Sequence, residues 1–281
     1  MNSRYTFLII ITLILFFFPT PKSLGQLSHT YHYDIPLPAA PGKMQLTLDF
    51  YRAIIHLQAG NPSVSSLEIK SAVLDYNRFR EAGDPIDSLD TYQINRNPDL
   101  QVAPTDTSIR ISNTTQRDII FIEITLPPAI SIKATASQFG RFDLEGITGN
   151  MDLKNYTGQI NLRDVQGAIS AESIRDGSIS MYFNKVNPEH AAVVTTYSGD
   201  IIISMPQKSG IDIRMQTELG QIKSDFDFDR SMKQSNTDTI QNSSDFWLDS
   251  QLNQGGPLFL IQTIRGDILL KKKELNNCLI K

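Results

Sequence analysis

The stretch "SDFDFDR" sets Asp225, Asp227 and Asp229 on one side of an extended chain and Phe226 and Phe228 on the other. Alternate carboxylates of this kind could hold calcium, but an EF-type loop also needs a glycine and a later bidentate acid, and neither is present. In "HTYHYD", His29 and His32 are spaced to reach one metal together with Asp34, yet they stand in a polar, flexible-looking N-terminal stretch without groups to orient them. His56 and His190 are isolated. Asp143, Glu145 and Asp152 are the acids a polysaccharide-cleaving enzyme would draw on, since glycoside hydrolysis needs a carboxyl pair across one bond. On a mildly acidic chain, scattered outward acids are more often solvated surface. Nucleophile elbows, phosphate-cradling glycine loops and zinc-protease helices are absent from the sequence. The expectation is therefore no catalytic residue, no metal ligand, no cofactor-binding residue and no cofactor.

The elements that would have to position any chemistry are strands. Ile, Val, Thr, Ser, Asp and Asn alternate along most of the 281 residues, and helix-forming heptads are missing. The fold class expected is all-β. A net charge of -4, spread along the chain, favours neither nucleic acid nor an anionic membrane surface as partner. Residues 1–25 read as a signal peptide, with Arg4 before an apolar run from Phe7 to Phe18 and a cleavage site near Gly25. That run is short for a membrane span, and no transmembrane segment is expected once it is removed. Cys278 is the single cysteine, so internal disulfides are excluded and stability rests on packing and backbone pairing.

Between Gly140 and Ser170 the glycines at 140, 149, 158 and 167 recur every nine residues. Two positions after each glycine stand Phe142, Met151, Ile160 and Ile169; four positions after stand Leu144, Leu153, Leu162 and Ala171. With a period of two, these form one inward face, and the residues between them are polar. After a one-residue insertion Gly177 continues the array with Ile179 and Met181, and the rung recurs at Gly199, Gly220 and Gly266. Gly146, Asn155, Asp164 and Ser173, six after each glycine, are corner-type residues. Ile147, Tyr156, Val165 and Ile174 then read as one further inward anchor.

Short strands need a facing layer across a core about 10 Å thick. Two nine-residue units therefore make one coil, and stacked coils pair each strand with its counterpart about 18 residues away. The architecture expected is a β-solenoid or β-helix-like stack with about two units per coil. An antiparallel meander is the rival. The calcium-binding nonapeptide roll does not fit, because its paired glycines and repeated aspartate are missing. In this arrangement Asp143 and Asp152 fall on opposite strands of a coil.

Residues 26–125 read as an N-terminal β-strand region, the first coils of the same domain, with 78–99 loop-like. Residues 126–273 form the strand-repeat domain, interrupted by a polar excursion at 229–255, and 274–281 are a C-terminal tail. "KKK" at 271–273 suits an end cap, which an open solenoid terminus needs. Asn113, Asn155 and Asn242 head glycosylation-type triplets. Tyr156, Tyr182 and Trp247 are the few aromatics that could stack on sugars, with Tyr156 in an inward column.

The phrases "TTYSGDIIISMP", "GITGNMDLKNYTGQINLRDVQGAIS" and "GGPLFLIQTIRGDILLKKK" resemble the "putative adhesin" family of bacterial β-strand-repeat envelope proteins. That family, first catalogued as a domain of unknown function, is related to autotransporter-adhesin heads. Its threonine shortly before a glycine-aspartate-aliphatic rung is matched at Thr196, Gly199, Asp200 and Ile201, and at Thr263, Gly266, Asp267 and Ile268. Ala168, Arg141 and Asn150 depart from the aspartate, which reads as a turn-capping residue. The resemblance implies export, a β-solenoid-like fold and an adhesion or surface role, and it supplies no catalytic residue. The function expected is a non-catalytic envelope or cell-surface interaction module, periplasmic, surface-bound or extracellular, whose ligand is an unidentified surface, protein or glycan. A carbohydrate-binding or polysaccharide-cleaving solenoid and a purely structural envelope component are the alternatives.

Overall fold

The computed structural model describes residues 27–37, 44–63, 65–83, 89–227 and 247–273. The signal segment, the tail with Cys278, Asp229, Phe228, Asn242 and most of the polar excursion lie outside them. The elements are β1 (Tyr31–Pro36), β2 (Gln45–Ala59), β3 (Ser66–Leu74), helix α1 (Tyr76–Glu81), a 3-10 turn (Leu89–Tyr92), β4 (Gln93–Ile94), β5 (Gln101–Pro104), β6 (Ser108–Ser112) and β7 (Ile119–Leu126). The repeat follows with β8 (Ser131–Glu145), β9 (Met151–Thr157), β10 (Ile160–Arg163), β11 (Ile169–Asp176), β12 (Ile179–Tyr182), β13 (Ala192–Ser198) and β14 (Ile201–Pro206). β15 (Ile211–Thr217), β16 (Ile222–Ser224), β17 (Leu248–Leu252), β18 (Leu258–Thr263) and β19 (Ile268–Lys273) complete the chain.

The strands form a curled sheet with two facing layers. One layer runs β5, β6, β2, β8, β9, β11, β13, β18, β15, β17. The other runs β1, β3, β7, β2, β8, β10, β12, β14, β19, β16. β2 and β8 are long enough to belong to both, and each breaks register where it bends from one layer to the other, β2 between Phe50 and Arg52. From β2 onward the repeat is parallel, and antiparallel pairing occurs at the ends of the stack and in the short β3–β4 ladder. The protein is a β-solenoid-like stack with two strand units per coil rather than a meander.

Parallel in-register stacking puts like on like. Met151 pairs with Ile169, and Phe142, Ile160 and Ile179 stand in one ladder. Phe142, Leu144, Met151, Leu153, Ile160, Leu162 and Ile169 are all buried. Burying each aliphatic side chain contributes about 1.5–3 kcal/mol, repeated along the axis. The layers touch across the core: the Phe183 and Phe259 rings, one from each layer, lie 5.8 Å apart.

The two nine-residue units of a coil are not equivalent. After Gly140 and Gly158 the strand ends at Gly146 or Asp164, both with positive φ (73° and 53°), and Ile147 and Val165 are buried beyond the corner. After Gly149 and Gly167 the strand continues, so Asn155 and Ser173 point inward and are fully buried, while Tyr156 and Ile174 are turned out at 38% and 40% exposed. The inward assignment of Tyr156 and Ile174 is therefore corrected. A strand of seven or more residues in β9 and β11 keeps its alternation past the point where β10 turns.

Three further expectations are revised. The stretch 78–99 is not wholly loop: Asp75 caps α1 by accepting from the Asn77 and Arg78 N–H groups. Phe79 packs on Leu74, Leu89, Ile119 and Phe121 as a small second core outside the stack. The stretch holding His29 and His32 is partly ordered, because β1 pairs with β3. The described part of the 229–255 excursion contains β17, which closes the outer edge of β15.

Stacking also departs from chain order. β18 lies between β13 and β15, and β19 between β14 and β16. The chain leaves one rung's space after β14, builds the outermost coil with β15 and β16, and returns through β17 to fill the gap. The last three coils share one Thr-to-Gly turn, at Thr196–Gly199, Thr217–Gly220 and Thr263–Gly266, so one of them can stack on another whatever its place in the sequence.

Candidate functional site

The corners explain the glycines. Gly140, Gly158, Gly177, Gly199, Gly266 and Gly220 stack in that order along one edge, with Gly149 and Gly167 on the opposite edge. A β-carbon at Gly266 would lie 1.9 Å from the Gly199 carbonyl oxygen, closer than any side chain tolerates. The threonines before Gly199, Gly220 and Gly266 join successive coils. Thr263 Oγ1 accepts the Gly266 N–H at 3.1 Å and donates to the Gly199 carbonyl at 3.1 Å. Thr217 does the same with Gly220 and Gly266, and Asn155 Nδ2 donates to the Gly140 carbonyl at 2.8 Å. Buried in this way, Asn155 has no side-chain nitrogen free for glycosylation.

The aspartate after the glycine caps the next coil. Asp200 Oδ1 accepts the Asp267 N–H at 2.8 Å, and Asp267 Oδ1 accepts the Gln221 N–H at 2.9 Å. Asn150, a departure from the aspartate pattern, accepts the Ala168 N–H in the equivalent place at the other corner. Asp267 also meets Lys223 at 2.8 Å, and that ammonium first, then the Gln221 amide, holds its carboxyl below the usual range. Asp200, Asp267 and Asn150 each accept a backbone N–H of the neighbouring coil.

The acids named for chemistry are dispersed. Asp143 lies on β8 in one layer and Asp152 on β9 in the other. Asp143 is held by Arg141 Nε and Asn161 Nδ2, each at 2.7 Å, while Asp152 meets Lys133 at 3.2 Å. Asp225 follows the end of β16, where it accepts the Lys272 backbone N–H, and Phe226 is buried under the Lys272 ammonium. His32 contacts Thr30 Oγ1 at 3.0 Å. Among the described residues no group of three His, Cys, Asp or Glu side chains is placed to hold a metal ion.

A cluster that the sequence did not single out stands on the outer face of the second layer. Register aligns Lys70, Glu123, His56 and Asp143 across β3, β7, β2 and β8. Glu123 lies 3.8 Å from His56 Nδ1 and 3.1 Å from Lys70 Nζ. The imidazole first, and then the ammonium, overcome the cost of partial burial and lower the Glu123 carboxyl to about 2. A general acid needs the opposite, a carboxyl raised toward neutrality. The arrangement is a charge-paired seam between strands.

The exposed apolar groups form a different feature. Tyr156, Ile174 and Tyr197 each follow the inward corner residues Asn155, Ser173 and Thr196, which pair in register. Together they make an outward ridge at one corner, with Arg265 5.4 Å from the Tyr197 ring. Tyr182 is exposed on the second layer, whereas Trp247 is only partly exposed beside Arg214.

Residues 98–246 match the Toastrack DUF4097 family. The chain belongs to the Toastrack family. The match covers more than half of the sequence and most of the strand repeat. No curated protein matches the chain. Among solved structures, a Clostridium sporogenes protein described as a "putative cell adhesion protein" aligns over 87% of this chain and 100% of its own, with 13% identity and a TM-score of 0.42. A Bacteroides fragilis "putative adhesin" aligns over 88% of this chain and 98% of its own, with 13% identity and a TM-score of 0.32. No described helix of the Toastrack chain is long and apolar enough to cross a membrane.

Proposed function

We propose that this Toastrack protein is an exported, non-catalytic interaction module of the bacterial envelope or cell surface. The observation that carries the non-catalytic part is the engagement of its most suggestive acids. Glu123 is kept ionised between His56 and Lys70, and Asp143 is shared by Arg141 and Asn161. The lowered Glu123 carboxyl lacks the raised pKa a general acid needs, and both Asp143 carboxylate oxygens accept hydrogen bonds from neighbouring side chains. The module part rests on shape: a stack of repeated rungs presents outward columns of polar and aromatic side chains over a core that packs as one cluster. Export rests on Arg4 and the apolar run from Phe7 to Phe18.

Two measurements test this reading. Residues 1–25 fused to an alkaline phosphatase that works only after export give active enzyme if the segment directs secretion; an inactive fusion removes the envelope assignment. Labelled purified protein binds isolated envelopes saturably if it is an interaction module, and absence of saturable binding contradicts it.

A further inference from the structure

We infer that the outer face of the second layer, in its C-terminal half, binds an extended carboxylate-bearing polysaccharide. This rests on the interaction-module reading and names a ligand class for it. Register places Arg163, Tyr182, Ser204 and Lys271 in one row across β10, β12, β14 and β19. Ile202 and Leu269 pair in the adjoining outward row, partly exposed, and form an apolar strip beside it. Three strand spacings put Arg163 and Lys271 about 14 Å apart, with the tyrosine between them.

Charge distinguishes this row from the other outward columns. Several cations on other strands are matched across the ladder: Lys133 with Asp152, Lys154 with Glu172, Arg214 with Asp249, Lys70 with Glu123. Arg163 and Lys271 are exposed and make no ion pair among the described residues. Glu145 stands next to Arg163 in register and Asp225 next to Lys271, so an acid lies beyond each cation but outside ion-pair contact with it. A planar guanidinium suits a carboxylate, and an exposed tyrosine, 41% accessible, offers a ring face for a sugar. Cations at both ends and a ring between them complement a linear chain with acid groups at intervals. The row runs along the stack axis, and Glu145 and Asp225 at its two ends confine the carboxylate groups it would hold to the stretch between Arg163 and Lys271.

The test uses the purified protein with linear oligogalacturonate, a neutral oligogalactoside of equal length and phosphatidylglycerol vesicles, each titrated at low and high salt. Oligogalacturonate is expected to bind with an affinity that falls as salt rises. The double variant Arg163→Gln with Lys271→Gln, and separately Tyr182→Ala, should each weaken it by about 10-fold or more. Lys133→Gln with Lys154→Gln, on the other layer, should bind like the unaltered protein. Unfolding midpoints within a few degrees of each other show that the variants fold. Equal binding of the neutral oligomer, undiminished binding by the double variant, or binding of vesicles in place of oligogalacturonate overturns the inference. If envelopes are still bound saturably while oligogalacturonate is not, this inference fails and the module reading stands. If envelopes are not bound at all, the module reading itself fails.

Discussion

Thr263 donates its hydroxyl hydrogen to the Gly199 carbonyl, joining two coils whose residues are 64 positions apart in sequence. The same oxygen accepts the Gly266 N–H, so one buried side chain closes its own turn and anchors it to the next. Replacing Thr263 by Val keeps the shape and leaves both backbone groups unpaired, a cost of about 1–3 kcal/mol. Thr263→Ser should recover most of it. Urea unfolding of the two variants checks this, and equal stabilities would show that the hydroxyl does nothing.

Gly266→Ala places a methyl 1.9 Å from the Gly199 carbonyl oxygen and forces adjoining coils apart. A loss of about 3 kcal/mol or more is expected. Gly83 is the control: its φ is +78° but nothing lies within 4 Å of an added β-carbon. Gly83→Ala should therefore cost only about 1–2 kcal/mol from the left-handed backbone. Similar losses at both sites would contradict close stacking as the reason for the corner glycines.

The re-entrant order makes a cross-linking prediction. In a Cys278→Ser background, cysteines replacing Thr195 and Gln262 stand on adjacent strands and should oxidise to an intrachain disulfide. Cysteines replacing Thr195 and Gln216 are separated by the intervening β18. Two strand spacings, about 10 Å, are too far to bridge. Mass analysis of the oxidised chains distinguishes the pairs, and a bond in the second alone would mean that the coils stack in chain order.

Glu123 links stability to pH. Its folded carboxyl is lowered to about 2 from an ordinary 4.5, so its contribution is present above 4.5 and is lost as pH falls toward 2. Because the side chain is 30% exposed, solvent screening reduces the effect to about 1 kcal/mol. At 3.8 Å the imidazole is beyond ordinary hydrogen-bond length, and the Lys70 pair is the direct contact. Unfolding free energies of the parent and Glu123→Gln should differ at neutral pH and converge near pH 2; a constant difference would show that the carboxylate is not linked to folding.

The inward ladder from Phe142 to Ile169 was legible in the sequence because alternation within a rung and repetition between rungs are both imposed by burial. The inequality of the two units was hidden by residue chemistry. Asn155 and Ser173 suit a turn as well as a buried corner bonded to backbone, and Tyr156 has both an apolar ring and a polar tip. The repeated threonine three residues before Gly199, Gly220 and Gly266 was the available signal for the inter-coil bond. Stacking order had none, because equivalent rungs fit one another in any sequence. Helix α1 is too short to show a period, and the Lys70, Glu123 and His56 seam is assembled from three distant strands, β3, β7 and β2, by register alone.

The proposed function is recognition without turnover by the outward faces of the stack. It is tested most directly by titrating the purified protein against a panel of envelope polysaccharides while following their chain length over many hours. The account predicts saturable binding of at least one polymer with its length unchanged. Shortening of a polymer that stops in Glu123→Gln or Asp143→Asn would contradict it.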